Sequence, residues 1–227
     1  MSAPAALPFR PAAVLFDMDG LLLESERAIL DCLRDAAAAQ GADIAPDWWL
    51  RMIGHADAHC RALLSERIGA DAAIALLEHG HARYVALAEA GLPHRPGVAA
   101  LLDLLDAHGV PRAVATTTRS PLAPRKLAAA DLLHRFDAVC TGSDVAQPKP
   151  APDVYLLAAR CLDVAPARCL VLEDSPTGVR AALAAGMTPI QVPDLLAPDD
   201  AVRALGHRIA GSLGEVQGML APLLRGG

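Results

Sequence analysis

Short apolar runs alternate with helical patterns along most of the chain. Each run is bounded by polar or turn-forming residues and is partly β-branched, which is typical of strands buried on both faces. The runs cover residues 12–16, 110–116, 136–140, 169–172 and 188–192. Helices are predicted between them, two of them beginning at Ser120-Pro121 and Ser175-Pro176, where serine can cap the first turn. The alternation predicts an α/β fold with a parallel sheet covered on both faces.

One long segment breaks this alternation. Residues 22–91 contain several amphipathic helical patterns but no convincing strand. Asp47 is predicted to cap a helix that carries two tryptophans. The other predicted apolar faces are formed by Ile29, Leu33 and Ala37, by Leu63, Leu64 and Ile68, and by Ile74, Leu77, Tyr84 and Val85. We therefore expect an all-helical cap domain at residues 22–91, inserted into a core that is formed by residues 1–21 and 92–227.

Composition and charge narrow the class of protein. The chain is 53% hydrophobic and 20% charged, so a large buried core is expected. A net charge of −6 without a Lys/Arg cluster argues against nucleic acid as a partner. The N-terminal apolar run is too short for a signal or a membrane span, and the five cysteines, which form no CxxC pair, are interpreted as buried hydrophobes. We expect a soluble cytoplasmic protein, monomeric or weakly self-associating, with no membrane partner.

The strongest chemical signal follows the first predicted strand. Asp17-Met18-Asp19-Gly20 places two carboxylates at the edge where open parallel sheets bind their ligands. One carboxylate can attack a phosphorus atom as a nucleophile, and the other can transfer a proton. Because aspartate and glycine are also common in turns, the motif alone leaves a simple turn as the alternative.

Polar residues also follow the later strands. Thr116-Thr117-Thr118 ends the second strand and can bind phosphate oxygens, although threonines at a strand end are more often structural. Lys149 lies between two prolines, where it can neutralise charge that would repel a nucleophile, or can be an ordinary surface lysine. Glu173-Asp174 closes another strand, where a helix cap is the simpler alternative. Acidic residues converging with Asp17 and Asp19 need a cation, and Mg²⁺ suits oxygen ligands.

Taken together, these motifs predict an active site, because four strand ends carry them in a fixed order. FDMDGLLLESE, VATTTRS, KPAPDVYLLAA and VLEDSPTGVRAALAAGM resemble the four motifs of the haloacid dehalogenase-like hydrolases, in the branch with a helical cap between the first two motifs. The resemblance covers roughly residues 14–192 and is greatest for the β-phosphoglucomutase and sugar-phosphate phosphatase group. It implies a Rossmann-like core.

The resemblance also implies a role for each motif residue. Asp17 would form an aspartyl phosphate, while Asp19 would act as general acid and then as general base. Mg²⁺ would be held by the Asp17 carboxylate, the Asp19 backbone carbonyl and Asp174, with Glu173 nearby. The transferring phosphoryl group would be bound by Thr116 and Lys149, with Thr117 and Thr118 adding to the pocket.

Substrate choice is expected to lie in the cap. Residues 52–55 are predicted to form a specificity loop, with Gly54 and His55 as substrate contacts. Ile29 stands where the mutase carries a histidine, and residues 53–57 lack its arginine, so a phosphomonoesterase acting on a small phosphorylated metabolite, such as a sugar or polyol phosphate, is favoured. A phosphomutase and a non-catalytic phospho-ligand-binding protein stay open as alternatives.

Overall fold

A computed structural model describes residues 7, 9–53 and 57–225 of the chain, without the side chain of Asp57. Within these residues, six parallel strands form one sheet in the order β3-β2-β1-β4-β5-β6. The strands are β1 (Ala13–Phe16), β2 (Arg112–Ala115), β3 (Ala138–Cys140), β4 (Cys169–Glu173), β5 (Thr188–Gln191) and β6 (Arg208–Ile209). The predicted α/β class and five of these strands are confirmed, and the two-residue β6 was not predicted.

Helices fill the intervals between the strands. They are α1 (Ser25–Ala39), α2 (Asp57–Ile68), α3 (Ala70–Ala90), α4 (Val98–Ala107), α5 (Leu122–Ala129), α6 (Asp153–Cys161), α7 (Pro176–Ala184), α8 (Asp200–Arg203) and α9 (Leu213–Arg225). Short 3-10 helices cover Pro46–Met52, Leu133–Arg135 and Pro166–Arg168. Within the part of the chain that is described, no helix is both long and apolar enough to cross a membrane.

Alternating strand residues bury their side chains on opposite faces of the sheet. Val14 and Phe16 of β1 point into one apolar cluster, together with side chains from α4, α5 and α9. Ala13 and Leu15 point into the other, where α6 and α7 contribute Val154, Tyr155, Ala158, Ala181 and Ala182. Both faces of the central strands are therefore covered, as the apolar runs predict.

The helical insertion, residues 25–90, comprises α1, α2, α3 and the first 3-10 helix. It has an apolar cluster of its own, to which Leu33, Trp49, Leu64 and Leu76 contribute. Two chain crossings, the segments that lead into and out of the insertion, connect it to the sheet. They are hydrogen-bonded to each other, since Glu24 N donates to Pro93 O and Arg95 N donates to Leu22 O, both at 2.9 Å. The exact division of the chain into domains at residues 21 and 91 stays a prediction.

The buried face of α3 differs from the predicted one. Its buried residues are Ala73, Leu76, Gly80, Tyr84 and Ala88, whereas Ile74 is 42% exposed. Only Tyr84 was predicted correctly as fully buried. Small residues of α3 line its contact with α1. The prediction favoured large apolar side chains and therefore selected residues on the neighbouring face of the helix.

Two predicted helix caps are also corrected, and one is confirmed. The segment after Ala45 is a 3-10 helix with Pro46 in its first turn, so Asp47 lies inside it. Helix α5 begins after Pro121, without a side-chain cap from Ser120. Ser175 does cap α7, since its Oγ accepts a hydrogen bond from Gly178 N at 3.1 Å.

Gly80 allows the close approach of α1 and α3. A Cβ at this position would lie 2.6 Å from Leu33 Cδ2 and 3.2 Å from Leu33 Cα. We expect Gly80→Val to lower the free energy of unfolding by about 1–3 kcal/mol, measured by chemical denaturation. Gly218→Ala is the matched control, because nothing lies within 4 Å of its added Cβ. The control should gain about 0.5–1 kcal/mol, and equal stability of the two variants would contradict this packing.

Candidate active site

The carboxyl edge of the sheet brings the predicted motifs together. Asp17 follows β1, and its backbone N–H donates to Leu172 O of β4 at 3.0 Å. Thr116 follows β2, and its N–H donates to Cys140 O of β3 at 3.0 Å. Asp174 follows β4. The strand pairing therefore places these residues along one edge, as parallel topology requires.

Lys149 connects two of the predicted acidic residues. Its Nζ lies 2.6 Å from Asp17 Oδ1 and 2.6 Å from Glu173 Oε1, and only 3% of its side chain is exposed. The ring of Tyr155 is centred 4.6 Å from the same Nζ. An ammonium group has three N–H donors, so two are used here and a third is left for a ligand. The alternative of an ordinary surface lysine is excluded by this burial.

Glu173 has both carboxylate oxygens occupied by the protein. Oε1 accepts from Lys149 and, at 2.8 Å, from the Tyr155 hydroxyl. Oε2 accepts from Ser175 N at 2.9 Å and from Ser175 Oγ at 3.0 Å. A Cβ on Gly178 would lie 1.6 Å from Oε1, so glycine leaves the space for this carboxylate. Glu173 was predicted to lie among the acidic residues near the metal ion, but these contacts commit both of its oxygens to the protein, where they anchor Lys149.

Negative charge exceeds positive charge around Lys149. Burial raises the pKa of Asp17 to about 7, although Lys149 lowers it. Burial and then the charges of Glu173 and Asp17 raise the pKa of Asp174 well above its ordinary value. Burial alone would raise the pKa of Glu173, but Lys149 lowers it below its ordinary value. Burial alone would lower the pKa of Lys149, but the charges of Asp17 and then Glu173 raise it. The edge of the sheet therefore favours an additional cation.

Asp174 lies close to the turn formed by Asp17-Met18-Asp19-Gly20, which is called the DxDG turn below. Its Oδ2 lies 2.3 Å from the place that a Cβ on Gly20 would occupy, and Gly20 has φ of +79°. Glycine is thus needed both for the backbone conformation and for the space. Among the described residues, no hydrogen bond or ion pair involves the Asp174 carboxylate, while its backbone carbonyl accepts from Gln191 Nε2 at 2.9 Å.

The donor set at this turn fits Mg²⁺. Asp17 and Asp174 supply carboxylates, and the Asp19 carbonyl belongs to the same turn. Over the described residues, no three His, Cys, Asp or Glu side chains are grouped as a ready metal cage. Mg²⁺ commonly takes only one or two protein carboxylates and completes its shell with water and substrate phosphate, so this set is sufficient.

Asp19 is held by residues on the far side of the turn. Its Oδ2 accepts from Thr118 Oγ1 at 2.6 Å, and its Oδ1 accepts from Lys126 Nζ. Lys126 also donates to the hydroxyl of Tyr84 at 2.7 Å. Burial would raise the pKa of Asp19, but Lys126 and Thr118 lower it below its ordinary value. Thr118 thus contacts Asp19, and its predicted contribution to the phosphate pocket stays a prediction.

Sequence reasoning missed Lys126, although the sequence contained a signal. Ala123, Lys126, Leu127 and Ala130 follow the spacing of one helix face, and all four are buried. A lysine on the apolar face of a short helix needs a buried partner. Tyr84, Tyr155 and Ser25, whose Oγ accepts from Gly20 N at 3.0 Å, gave no comparable signal.

The remaining predicted residues divide into three groups. Thr116 is buried at the edge, and its Oγ1 accepts from Thr118 N at 3.1 Å. Thr117 is exposed, and no described contact of its side chain links it to the other site residues. Gly54 and His55 lie outside the described residues.

Glu26, which was not predicted, adds a carboxylate on the first turn of α1. Its Cγ lies 3.4 Å from the place that a Cβ on Gly20 would occupy. Burial, followed by the charges of Asp19 and Asp194, raises the pKa of Glu26 to about 7. Its carboxyl group has no hydrogen-bond or ion-pair partner in the described residues, so it is available to a ligand.

Known proteins resemble the chain over most of its length. Protein CbbY of Rhodobacter capsulatus is 35% identical over 217 residues, which cover 87% of this chain and 92% of the relative. Hexitol phosphatase A of Escherichia coli is 34% identical, covering 78% of this chain and 81% of the relative. A crystal structure of a HAD family hydrolase from Deinococcus radiodurans with bound phosphate and sodium matches with a TM-score of 0.78 and 31% identity, covering 95% and 96% of the two chains.

The family model of the haloacid dehalogenase-like hydrolases matches residues 11–186. This range contains the first three motifs, the fourth motif up to Gly186, the whole helical insertion and strands β1 to β4. The predicted Rossmann-like fold and the predicted assignment as a hydrolase of the phosphatase type are both confirmed. The chain therefore belongs to the haloacid dehalogenase-like hydrolases.

Proposed function

We propose that the protein is a Mg²⁺-dependent phosphomonoesterase that hydrolyses a small sugar or polyol phosphate through an aspartyl phosphate on Asp17. The observation that supports it most is the set of contacts around Asp17. Lys149 holds Oδ1, whereas Oδ2 has no hydrogen-bond partner among the described residues. One oxygen is therefore fixed and the other is available as a nucleophile.

The first step transfers the phosphoryl group to Asp17. An Asp17 oxygen forms a bond to phosphorus while the bond between phosphorus and the substrate oxygen breaks. The negative charge of the bound phosphate ester opposes the effect of Lys126 and raises the pKa of Asp19, so that Asp19 takes up a proton as substrate binds. Asp19 then gives this proton to the departing alkoxide, which leaves as an alcohol. The unused N–H of Lys149 and the Thr116 region bind the phosphoryl oxygens and offset their charge.

The second step returns Asp17 to its free carboxylate. Asp19, now an anion, takes a proton from water, and the resulting hydroxide attacks phosphorus. The bond between phosphorus and the Asp17 oxygen breaks, and inorganic phosphate leaves. When bound by Asp17, Asp174 and the Asp19 carbonyl, Mg²⁺ supplies charge stabilisation for the phosphoryl group.

The carboxyl group of Glu26 is evidence that the substrate carries several hydroxyl groups. A carboxyl group without a protein partner can accept hydrogen bonds from substrate hydroxyls, and burial makes an unpartnered position costly in the free enzyme. An apolar phosphate ester would leave this group unpaired. The curated relative named hexitol phosphatase A agrees with this class of substrate.

We expect Asp17→Asn to abolish phosphate release from a panel of sugar, polyol and nucleotide phosphates, measured as free inorganic phosphate. Asp19→Asn should lower the rate for alkyl phosphates by about 10²–10⁴-fold, since it removes proton transfer. Asp31→Asn makes the same chemical change at a side chain that is 69% exposed and serves as the control.

The same assay separates the alternatives. Full activity of Asp17→Asn would refute the nucleophile assignment. Conversion of one sugar phosphate to its isomer without phosphate release would favour the phosphomutase. Phosphate-ester binding by wild type without turnover would favour the non-catalytic binder.

Removal of Mg²⁺ with EDTA should abolish turnover, and added Mg²⁺ should restore it. Independently of activity, titration of Mg²⁺ into wild type should give a saturable heat change, and Mg²⁺ should raise the melting temperature. Asp174→Asn should lose both effects, because it removes an anionic ligand. Asp131→Asn, at a side chain that is 94% exposed, should keep them. Unchanged Mg²⁺ binding by Asp174→Asn would refute the proposed ligand set.

Glu26→Leu should raise the KM for the best polyol phosphate by about 2- to 10-fold, which corresponds to the loss of one hydrogen bond. Competitive inhibition by inorganic phosphate, which has no hydroxyl chain, should stay unchanged. The KM for the polyol phosphate and the inhibition constant of inorganic phosphate come from one set of steady-state assays. A parallel rise of both constants would show that Glu26 shapes the phosphate site and does not bind hydroxyls.

A further inference from the structure

The carboxylate of Asp19 has a buried cationic partner whose place in the fold is unusual. Lys126 lies in the middle of α5, on the face where Ala123 and Leu127 pack against the sheet, and it is only 1% exposed. Its Nζ contacts the Asp19 carboxylate and the Tyr84 hydroxyl, and the Tyr84 ring is centred 5.2 Å away. This ammonium group, carried by α5, therefore contacts both the DxDG turn and helix α3.

We propose that Lys126 and Tyr84 are positioning residues for the acid–base chemistry of Asp19. Lys126 fixes the Asp19 carboxylate where it exchanges a proton with the leaving alcohol and the attacking water. Tyr84 holds the lysine from α3, which belongs to the helical insertion. The inference rests on the proposed function, because it assigns these residues to the proton-transfer role of Asp19.

Folding alone does not explain a lysine at this position. Burying an ammonium group is strongly unfavourable unless it is paired and hydrogen-bonded. An unbranched apolar side chain would fill the same stripe of α5 without that cost. Among the described residues, Asp19 is the one carboxylate that Lys126 contacts within salt-bridge distance. The buried charge of Lys126 thus holds the Asp19 carboxylate in place.

The contacts of Asp19 restrict the carboxylate at both oxygens. Lys126 donates to Oδ1 and Thr118 donates to Oδ2, so rotation about the last side-chain bond would break one or both contacts. Proton transfer needs the donor and acceptor within hydrogen-bond reach, and small misplacements of a catalytic group cost large factors in rate. A carboxylate restrained at both oxygens meets this need.

Tyr84 extends the restraint to another part of the fold. It lies on the buried face of α3, near the end that returns to the sheet, and it is 7% exposed. Its oxygen accepts the Lys126 hydrogen bond, so the lysine has polar partners on two sides. The position of α3 is thereby coupled to the position of Asp19.

A purely structural role for the ion pair makes a different prediction. The same two helices are also joined by Arg125 and Glu89, at 3.0 Å, in an exposed pair without a site residue. Loss of that pair removes a contact between α5 and α3 but leaves Asp19 untouched. Arg125→Met is therefore the matched control for Lys126→Met, since neighbouring residues of one helix lose the same charge.

The leaving group of the substrate distinguishes positioning of Asp19 from a general loss of structure. An alkoxide is a poor leaving group and needs a proton from Asp19, whereas p-nitrophenolate leaves without one. A defect confined to Asp19 therefore lowers the rate for a polyol phosphate much more than the rate for p-nitrophenyl phosphate. Distortion of the whole site lowers both rates alike.

The test measures kcat/KM for both substrates in wild type, Lys126→Met, Tyr84→Phe and Arg125→Met. For Lys126→Met we expect the loss on the polyol phosphate to exceed the loss on the aryl phosphate by about tenfold or more. Tyr84→Phe should show a smaller selective loss in the same direction, and Arg125→Met should show none. In an Asp19→Asn background, Lys126→Met should add no further selective loss, because both changes act through one group.

Equal losses on the two substrates, or none, would overturn the inference, as would an additive selective loss in the Asp19→Asn background. If Lys126→Met does not fold, as judged by circular dichroism, Tyr84→Phe decides between the outcomes, because it keeps the ring and removes one oxygen. Failure of the proposed function is recognised separately, since wild type would then release no phosphate from either substrate.

Discussion

The burial of one ammonium group between two carboxylates is the interaction on which the site depends. Lys149 is 132 positions from Asp17 and 24 positions from Glu173, yet it contacts both at 2.6 Å. A buried ammonium group that loses a partner costs several kcal/mol, so the loop of Lys149 and the ends of β1 and β4 must keep their places together. The geometry of the site is thus maintained by the free energy of folding.

A second buried lysine gives the two aspartates of the DxDG motif different surroundings. Asp17 is paired with Lys149 from the loop before α6, whereas Asp19 is paired with Lys126 from α5. Burial dominates at Asp17 and raises its pKa, while the neighbouring donors dominate at Asp19 and lower its pKa. The two aspartates, which are two positions apart in sequence, therefore have different electrostatic surroundings.

Much of the fold could be predicted because its signals are local. Strands buried on both faces leave apolar runs, and parallel strands bring the residues after them to one edge, so Asp17, Thr116 and Asp174 could be grouped in advance. The two-residue β6 is too short to leave such a run. The buried face of α3 depends on how closely α1 approaches it, which the sequence of α3 alone does not specify.

The site residues also depend on contacts that the local sequence does not specify. Glu173 was grouped with Asp174, but successive residues of a strand point to opposite sides, and Glu173 faces Tyr155 and Gly178. Lys126 could have been noticed as a charge on an apolar helix face. Its partners could not, since Tyr84 and Asp19 are 42 and 107 positions away and meet it only in the folded chain.

The hydrogen bonds between the two chain crossings at the base of the helical insertion have a consequence for how this fold diversifies. Leu22, Glu24, Pro93 and Arg95 form a short ladder, so the insertion leaves and re-enters the sheet layer at one point. A different helical segment whose ends are joined by such a ladder would leave the register of β1 against β2 unchanged. The chemistry at the strand ends can therefore be kept while the covering helices, and the molecules they admit, are exchanged.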